Sequence, residues 1–296
     1  MKILLFGKNG QLGWELQRSL APLGVVVALD AGNETLCGDF SRPQGLRDTV
    51  RKVRPDVIVN AAAHTAVDRA EGEPELAWVI NAQAPGVLAE EAGKIGAWMV
   101  HYSTDYVFDG SGNLPWRETD VPAPLNVYGQ TKLEGEQLVA AACDKHLIFR
   151  TSWVFAARGS NFARTMLQLA RHREHLAVVD DQFGAPTGAD LLSDVTAHAI
   201  RQVRTRPEDA GLYHLVAAGQ TSWHGYAERV IANARLSASA HEFKVKTVEP
   251  VPSETYPTTA ARPRNSRLNT DHLQSVFGLE LPPWQFGVDR LLVEMN

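Results

Sequence analysis

Short apolar runs alternate with helical patterns through the first half of the chain, and this alternation restricts the fold more than any other feature. The runs typical of strands are residues 2–6, 25–29, 56–60, 98–102 and 146–150. Between the first two, residues 11–23 carry a leucine at every fourth position from Leu12 to Leu20, as a helix with one buried face does. Strands that alternate with helices are joined by right-handed crossovers into a parallel sheet with both faces covered. We therefore predict an α/β fold with a Rossmann-type doubly wound parallel sheet, whose ligand sites lie at the carboxyl ends of its strands.

The alternation weakens after Phe155. Three helical patterns, at 161–171, 190–204 and 223–234, are then separated by loops that contain proline and glycine, and four prolines fall within residues 250–263. We predict that residues 1–155 form the sheet domain, with some later segments returning to it. Residues 156–296 are predicted to form mainly a smaller C-terminal lobe.

Composition excludes several classes of function. Hydrophobic residues make up 44% of the 296 residues, and the net charge is −5 without a long basic run, which argues against nucleic acid as a partner. The opening apolar run is too short for a signal peptide, and no stretch approaches the roughly 20 apolar residues that cross a bilayer. Cys37 and Cys143 are the only cysteines, so a disulfide framework or a zinc cluster is not expected. We expect a cytoplasmic protein with no membrane partner.

The first predicted strand is joined to the first predicted helix by a glycine-rich segment, GKNGQLG. Glycines at this spacing permit a tight turn, close approach of a pyrophosphate and close packing of helix on strand, and the helix N-terminus offers free N–H groups to the phosphates. This predicts a dinucleotide site; a glycine-rich turn is the alternative. The residues of the segment expected to bind the dinucleotide are Gly7, Gly10, Gln11, Leu12 and Gly13.

Asp30, at the end of the second strand, is suited to accept hydrogen bonds from the adenosine ribose, although an aspartate that caps a loop is the alternative. Its charge would repel the 2′-phosphate of NADPH and so favours NADH. Lys8, inside the glycine segment, would offset that repulsion. We therefore predict NADPH or NADH as cofactor, and these two residues are compatible with use of both.

Two more segments are candidates for cofactor contacts. Asp39 and Phe40 offer an acid and an aromatic ring for the adenine, and a turn with one buried phenylalanine is an equal alternative. The small side chains of Ala61, Ala62 and Ala63 follow the third strand and leave room either for a dinucleotide or for a packed helix.

Tyr128 and Lys132 lie four residues apart in a helical pattern that extends to Ala142, so both side chains share one helical face. The ordinary pKa of tyrosine, near 10, is too high for an efficient proton donor at neutral pH, and a lysine ammonium within about 4–6 Å lowers it. Thr104 falls at the carboxyl end of a predicted strand, where its hydroxyl can share a substrate oxygen with Tyr128. We predict these three as catalytic residues; a solvated helix face and an ordinary strand-end threonine are the alternatives.

The segments GKNGQLG, STDYVFDG and YGQTK resemble the extended short-chain dehydrogenase/reductase family. Longer strings, such as NAAAHTAVD, PLNVYGQTKLEGE, FRTSWVF and DQFGAPTG, are similar to the dTDP-4-dehydrorhamnose reductases within it, and the similarity continues to RPRNSRLNT near the C-terminus. The resemblance implies NAD(P)H-dependent reduction of the C4 ketone of dTDP-4-dehydro-L-rhamnose, for cell-surface polysaccharide such as the O-antigen of lipopolysaccharide. It also implies that residues 1–155 bind the dinucleotide and that 156–296 mainly bind the sugar nucleotide.

The resemblance also implies roles for individual residues. Tyr128 is the implied proton donor, Lys132 its modulator and ribose ligand, and Thr104 the hydroxyl that tunes the pair. The implied contacts of the dTDP-sugar are Thr104, Asp105 and Trp153. The implied contacts of the dinucleotide are Gly10, Gln11, Leu12, Asp30, Asp39, Phe40, Ala63 and Thr65.

In some members of the family the resemblance implies a homodimer assisted by magnesium. The acids that correspond to its ligands here are Glu15, Asp190 and Glu294. Position 190 is an aspartate, one methylene shorter than a glutamate, so surface carboxylates without a metal are the preferred interpretation of this set.

Several alternatives stay open at this point. Trp153 either presents an apolar face to the deoxy sugar or is a core tryptophan. Three arginines in the proline-bounded tail either bind a diphosphate or form a solvated basic loop: Arg262, Arg264 and Arg267.

Two other functions compete with reduction. A nucleotide-sugar dehydratase or epimerase has the same fold, but related dehydratases carry an Asp-Glu pair after the catalytic threonine, whereas Tyr106 follows Asp105 here. A non-catalytic dinucleotide-binding regulatory subunit would keep the glycine segment, but the intact Thr104, Tyr128 and Lys132 argue against it.

Overall fold

The computed structural model describes residues 1–236 and 243–295. The strands are β1 Lys2–Phe6, β2 Val25–Leu29, β3 Val57–Asn60, β4 Trp98–Thr104, β5 His146–Thr151, β6 Val154–Phe155, β7 His175–Val179, β8 Phe183–Gly184, β9 Thr187–Gly188, β10 Gly211–His214, β11 Thr221–Ser222 and β12 Thr247–Val251. The helices are α1 Gln11–Leu20, α2 Pro43–Val53, α3 Val67–Gly72, α4 Pro74–Trp78, α5 Ala84–Ile95, α6 Val127–Ala142, α7 Phe162–His172, α8 Ala189–Val203, α9 Trp223–Ala234, α10 Asp271–Phe277 and α11 Trp284–Glu294.

Six strands form one parallel sheet in the order β2-β1-β3-β4-β5-β10. The predicted doubly wound α/β fold is therefore confirmed. Because β1 lies between β2 and β3, the chain leaves the centre of the sheet in opposite directions, and this switch point is where open parallel sheets bind ligands. The edge strand β10 comes from the second half of the chain.

The predicted elements differ from the observed ones mainly at their ends. Pro22 has no N–H to donate to the carbonyl of Arg18, so α1 ends at Leu20 and a 3₁₀ turn, Ala21–Leu23, follows it. Strand β4 extends to Thr104, two residues beyond the predicted run, because its carboxyl end still pairs with β5.

Successive residues of β1 enter different cores. Ile3 and Leu5 pack on the face covered by α1 and α8, whereas Leu4 and Phe6 pack on the face covered by α2, α5 and α6. A third core lies among α7, α9 and α11, around Tyr226 and Trp284. Within the described ranges, no helix combines the length and the apolar character needed to cross a bilayer.

Candidate active site

A cavity of about 680 Å³ opens at the carboxyl ends of β1, β3 and β4. Most of the predicted site residues lie around it. The cofactor candidates that line it are Gly7, Gly10, Gln11, Leu12, Asp30, Asp39, Phe40, Ala61, Ala62, Ala63, Thr65, Tyr128 and Lys132, and the substrate candidates are Thr104, Asp105 and Trp153. Gly13 does not line the cavity.

The glycine segment has the shape that a pyrophosphate requires. Gly7 has φ +83°, and a Cβ there would lie 2.8 Å from the backbone of Ala61. A Cβ at Gly13 would lie 2.0 Å from the carbonyl oxygen of Gly7, so Gly13 serves the close packing of α1 on the turn. Gly10 is the N-cap residue of α1 and has no side chain to cap it, which leaves the N–H groups of the first turn free for phosphate oxygens. These residues fit a dinucleotide.

The carboxylate of Asp30 is partly compensated by its neighbours. It accepts a hydrogen bond from the side-chain amide of Asn9, and Lys8 Nζ lies 3.6 Å from its Oδ2. The predicted offset by Lys8 therefore has a direct geometric basis. Phe40 lines the cavity but is 4% exposed, with its ring edge against Phe6, so it is largely a core residue.

The Tyr128–Lys132 face is held in place by a well-formed helix start. Asn126 caps α6 by accepting a hydrogen bond from the Gly129 N–H at 2.8 Å. A Cβ at Gly129 would lie 2.1 Å from the carbonyl oxygen of Tyr106, so glycine allows α6 to approach the turn that follows β4. The helix thereby brings Tyr128 and Lys132 to the cavity beside Thr104.

Burial raises the pKa of Tyr128 to about 12, while its hydrogen bond with Thr104 opposes the rise and the nearby Asp105 adds to it. The predicted depression of this pKa by Lys132 is therefore wrong for this structure. The reason is that the Lys132 side chain is directed toward β4, where its Nζ donates a hydrogen bond to the Tyr102 carbonyl oxygen at 2.5 Å. Tyr128 holds its proton at neutral pH, as a proton donor must.

Several buried polar atoms around the cavity lack a hydrogen-bond partner among the described residues. They are Asp105 Oδ2, Ser103 Oγ, Thr151 Oγ1 and Ser152 Oγ, all on cavity residues. Burial raises the pKa of Asp105 to about 7, opposed by hydrogen bonds with Ser266 and Thr104. Unsatisfied buried polar groups cost stability unless a ligand supplies their partners, so this wall fits a ligand that carries hydroxyl groups.

Trp153 has φ +50°, a left-handed conformation that is unfavourable for a bulky side chain. Its ring is stacked on Trp223 with centroids 3.6 Å apart, and a Cβ at Gly184 would lie 2.8 Å from that ring. Trp153 is therefore clamped rather than free to turn. Sequence reasoning missed Trp223, since its position as the first residue of α9 gives no sign of this contact.

A second cavity, of about 460 Å³, adjoins the first, because Tyr106 and Trp223 line both. Of the three tail arginines only Arg262 lines it, and that residue also pairs with Asp68 at 2.6 Å. The other two point elsewhere: Arg264 pairs with Glu254 and Asp181, and Arg267 lies over the ring of Phe183. The three arginines therefore do not form one anion site.

The acids implied as magnesium ligands do not fit a metal in this structure. Glu15, Asp190 and Glu294 line a separate pocket of about 20 Å³ together with Arg290. Arg290 lies 3.5 Å from Asp190 and 2.9 Å from Glu294, so a guanidinium already pairs with two of the three carboxylates. Across residues 1–236 and 243–295 no group of three metal-ligating side chains is arranged to hold an ion.

Comparison with known proteins agrees with this geometry. The family model described as "RmlD substrate binding domain" matches residues 1–296. The dTDP-4-dehydrorhamnose reductase of Salmonella typhimurium is 60% identical over 295 residues, which cover 100% of this chain and 98% of that protein. A solved dTDP-4-dehydrorhamnose reductase from Clostridium acetobutylicum is 35% identical with a TM-score of 0.88, covering 100% and 99% of the two chains. The Bacillus anthracis enzyme, solved in complex with NADP, is 34% identical with a TM-score of 0.86 and 99% of each chain covered.

Proposed function

The chain belongs to the dTDP-4-dehydrorhamnose reductase family, and we propose that it reduces the C4 ketone of dTDP-4-dehydro-L-rhamnose to dTDP-L-rhamnose with NADPH or NADH. The observation that carries this proposal is a single cavity that contains the glycine segment together with Thr104, Tyr128 and Lys132. A dinucleotide and a ketone held there would share one catalytic face of α6.

When bound, the reduced nicotinamide supplies a hydride to the ketone carbon. The free N–H groups at the start of α1 hold the phosphates, and Asp30 holds the adenosine ribose. Lys132 binds the nicotinamide ribose. Tyr128 donates its proton to the forming alkoxide, and the Thr104 hydroxyl shares the same oxygen and stabilises its charge.

The sugar is proposed to lie between Trp153 and Asp105. The part of the clamped indole that lines the cavity offers apolar surface to the deoxy carbon, and Asp105 and the unpartnered hydroxyls of the same wall form hydrogen bonds with the sugar hydroxyls. The remainder of the sugar nucleotide would extend past Tyr106 and Trp223 into the second cavity.

We also propose, from the family alone, that the product is used for cell-surface polysaccharide, including lipopolysaccharide, and that the protein acts in the cytoplasm as a homodimer. We propose no magnesium at this site, because Arg290 pairs with two of the acids, Asp190 and Glu294.

The test is to incubate the purified protein with dTDP-4-dehydro-L-rhamnose and to follow NADH and NADPH absorbance in separate reactions. A reductase consumes one reduced cofactor for each dTDP-L-rhamnose formed. A dehydratase or epimerase converts its substrate with no net consumption, and a regulatory subunit binds the cofactor without turnover. Either of these two results would refute the proposal.

A further inference from the structure

Three buried polar side chains form a line beneath the catalytic face. Asn60 on β3 and His101 on β4 are direct neighbours in the parallel register, and their Nδ2 and Nδ1 atoms are 3.0 Å apart. The other ring nitrogen, His101 Nε2, lies 3.3 Å from Lys132 Nζ. All three side chains are at most 2% exposed, so bulk water does not supply alternative partners.

The orientation of the Asn60 amide decides where the histidine carries its proton. The Asn60 Oδ1 accepts a hydrogen bond from the Ala62 N–H at 3.0 Å, so the atom that faces His101 is the amide nitrogen, which is a donor. His101 Nδ1 must therefore accept. Burial holds the pKa of His101 well below its ordinary value, so the ring is neutral and has one proton only. That proton is on Nε2.

The Nε2–H of His101 then points at Lys132. An ammonium at Lys132 would set one N–H against another N–H, with no acceptor between them. A neutral amine has a lone pair that accepts the hydrogen bond, while one of its own N–H groups still serves the Tyr102 carbonyl oxygen. We infer that His101 is a positioning residue which, oriented by Asn60, presents a donor to Lys132 and favours its amine over its ammonium.

The charges around Lys132 are consistent with this assignment. Glu136, one turn further along α6, favours the ammonium, but both of its oxygens accept hydrogen bonds from Arg150 on β5. On the cavity side lie the hydroxyl of Tyr128 and the carboxyl of Asp105. Burial lowers the pKa of Lys132 to about 8 with only Glu136 opposing it, and the donor from His101 acts in the same direction as burial.

For the proposed reductase, on which this part of the inference rests, the consequence is a lysine that exchanges its proton near the working pH. The Lys132 ammonium binds the ribose; once it has turned from the Tyr102 carbonyl oxygen toward the phenolate, it returns a proton to Tyr128, which leaves Tyr–OH and a neutral amine. The amine then regains a proton from water. A lysine held firmly as ammonium would bind the ribose equally well but would return its proton to Tyr128 more slowly.

The first test does not depend on catalysis. In protein labelled with ¹⁵N-histidine, the His101 ring is expected to carry its proton on Nε2, with the resonance assigned by its loss in His101→Phe. A ring proton on Nδ1 overturns the inference, whatever the enzyme activity is.

The second test is a double-mutant cycle read in ε-¹³C-lysine-labelled protein without cofactor, with Lys132 assigned by Lys132→Met. Asn60→Ala removes the donor from Nδ1 and does not touch Lys132, so His101 becomes free to accept from the ammonium and the pKa of Lys132 is expected to rise by about one unit. In the His101→Phe background the same change is expected to have no effect. Equal shifts in both backgrounds, or none in either, overturn the inference.

Asn60→Asp is the second variant, in case Asn60→Ala does not fold. The aspartate carboxylate still accepts from the Ala62 N–H, and its other oxygen accepts from a proton on His101 Nδ1. The pKa of Lys132 is therefore expected to rise more than in Asn60→Ala. The part of that rise due to the new charge alone is measured in the His101→Phe background and subtracted.

In kinetics, the alkaline limb of the kcat/KM profile should move to higher pH together with the pKa of Lys132 measured by NMR. A purely structural role would lower the rate at every pH and leave the limb in place. Absence of turnover with the NMR shifts intact would refute the proposed function and leave the His101 assignment standing.

Discussion

Two charged side chains in this protein are equally buried, and their surroundings are opposite. Lys132 in the proposed active site and Glu91 on α5 are both 2% exposed. Glu91 accepts hydrogen bonds from three cations, Arg47, Arg51 and Lys94, at 2.7–2.8 Å. Lys132 forms no ion pair within the described ranges, and its contacts are a carbonyl oxygen and a histidine ring.

The difference is consistent with a role of Glu91 in stability and with the proposed role of Lys132 in catalysis. Pairing lowers the pKa of Glu91 to about 2, so the charged form is favoured in the folded protein. Burial lowers the pKa of Lys132 to about 8, so the charged form is disfavoured. A chain tolerates an unfavourable buried charge only where another advantage offsets it, and active sites are the usual place.

The largest effect on catalysis is expected from a substitution at Tyr128, next to Lys132 in the same cavity. Tyr128→Phe removes the proposed proton donor and keeps the ring, so kcat should fall by about 10²–10⁴-fold while cofactor binding and the melting temperature stay close to wild type. Steady-state kinetics, cofactor fluorescence titration and thermal melts measure the three quantities. Tyr226→Phe is the control, because it removes a buried hydroxyl outside the cavity and should leave kcat unchanged. Near-normal turnover of Tyr128→Phe would exclude the proton-donor role.

Much of this site could be predicted from the sequence because its signals are local. The glycine spacing, the four-residue interval of Tyr128 and Lys132, and the apolar alternation of the strands each depend on neighbouring residues only. The contact between Asn60 and His101 depends on the register of β3 and β4, which the sequence does not reveal. The only local sign of it is a histidine inside the apolar run 98–102. The same limit applies to Trp223, which meets Trp153 only in the folded chain. The pKa of Tyr128 differs from the predicted one because burial raises it and because Lys132 Nζ donates to the Tyr102 carbonyl oxygen, and neither is a local property of the sequence.

The second prediction tests whether Lys132 differs from Glu91 in its effect on folding stability. Lys132→Met should lower kcat/KM by about 100-fold or more and yet stabilise the folded protein by about 1 kcal/mol at pH 7, since a buried ammonium is replaced by an apolar chain of similar length. The folded pKa, about 8, lies below the unfolded value near 10.4, so the unfolded chain binds more protons between these limits. Wild-type stability should therefore rise with pH from about 8 to 10.4, and the variant should lack this rise. Urea unfolding across that range measures both; a destabilised variant would mean that Lys132 serves stability as Glu91 does.

The third prediction concerns Glu91, the buried charge that is compensated by cations. Glu91→Gln leaves three cations without their carboxylate and should cost about 2 kcal/mol of unfolding free energy, a value reduced by the exposure of Arg51 and Lys94, with kcat unchanged. The folded pKa of about 2 lies below the unfolded value near 4.3, so the contribution is complete above about pH 4.3 and is lost as the pH falls toward 2. Acid titration of stability should show that loss in wild type and not in the variant. Glu90→Gln, which removes an exposed partner of Arg47, is the matched control with an expected cost below about 0.5 kcal/mol.

The smallest effect is expected at an ion pair that is neither buried nor catalytic. Lys8 and Asp30 are 3.6 Å apart with side chains 29% and 25% exposed, so solvent screens their attraction and Lys8→Ala should change the unfolding free energy by less than about 0.5 kcal/mol. Lys8 still compensates the Asp30 charge that faces a 2′-phosphate, so the KM for NADPH should rise several-fold while the KM for NADH stays nearly constant. The NADPH effect should shrink as salt is added, because both groups are within reach of solvent ions. Equal changes in both KM values would show that Lys8 acts on the shape of the glycine segment rather than through its charge.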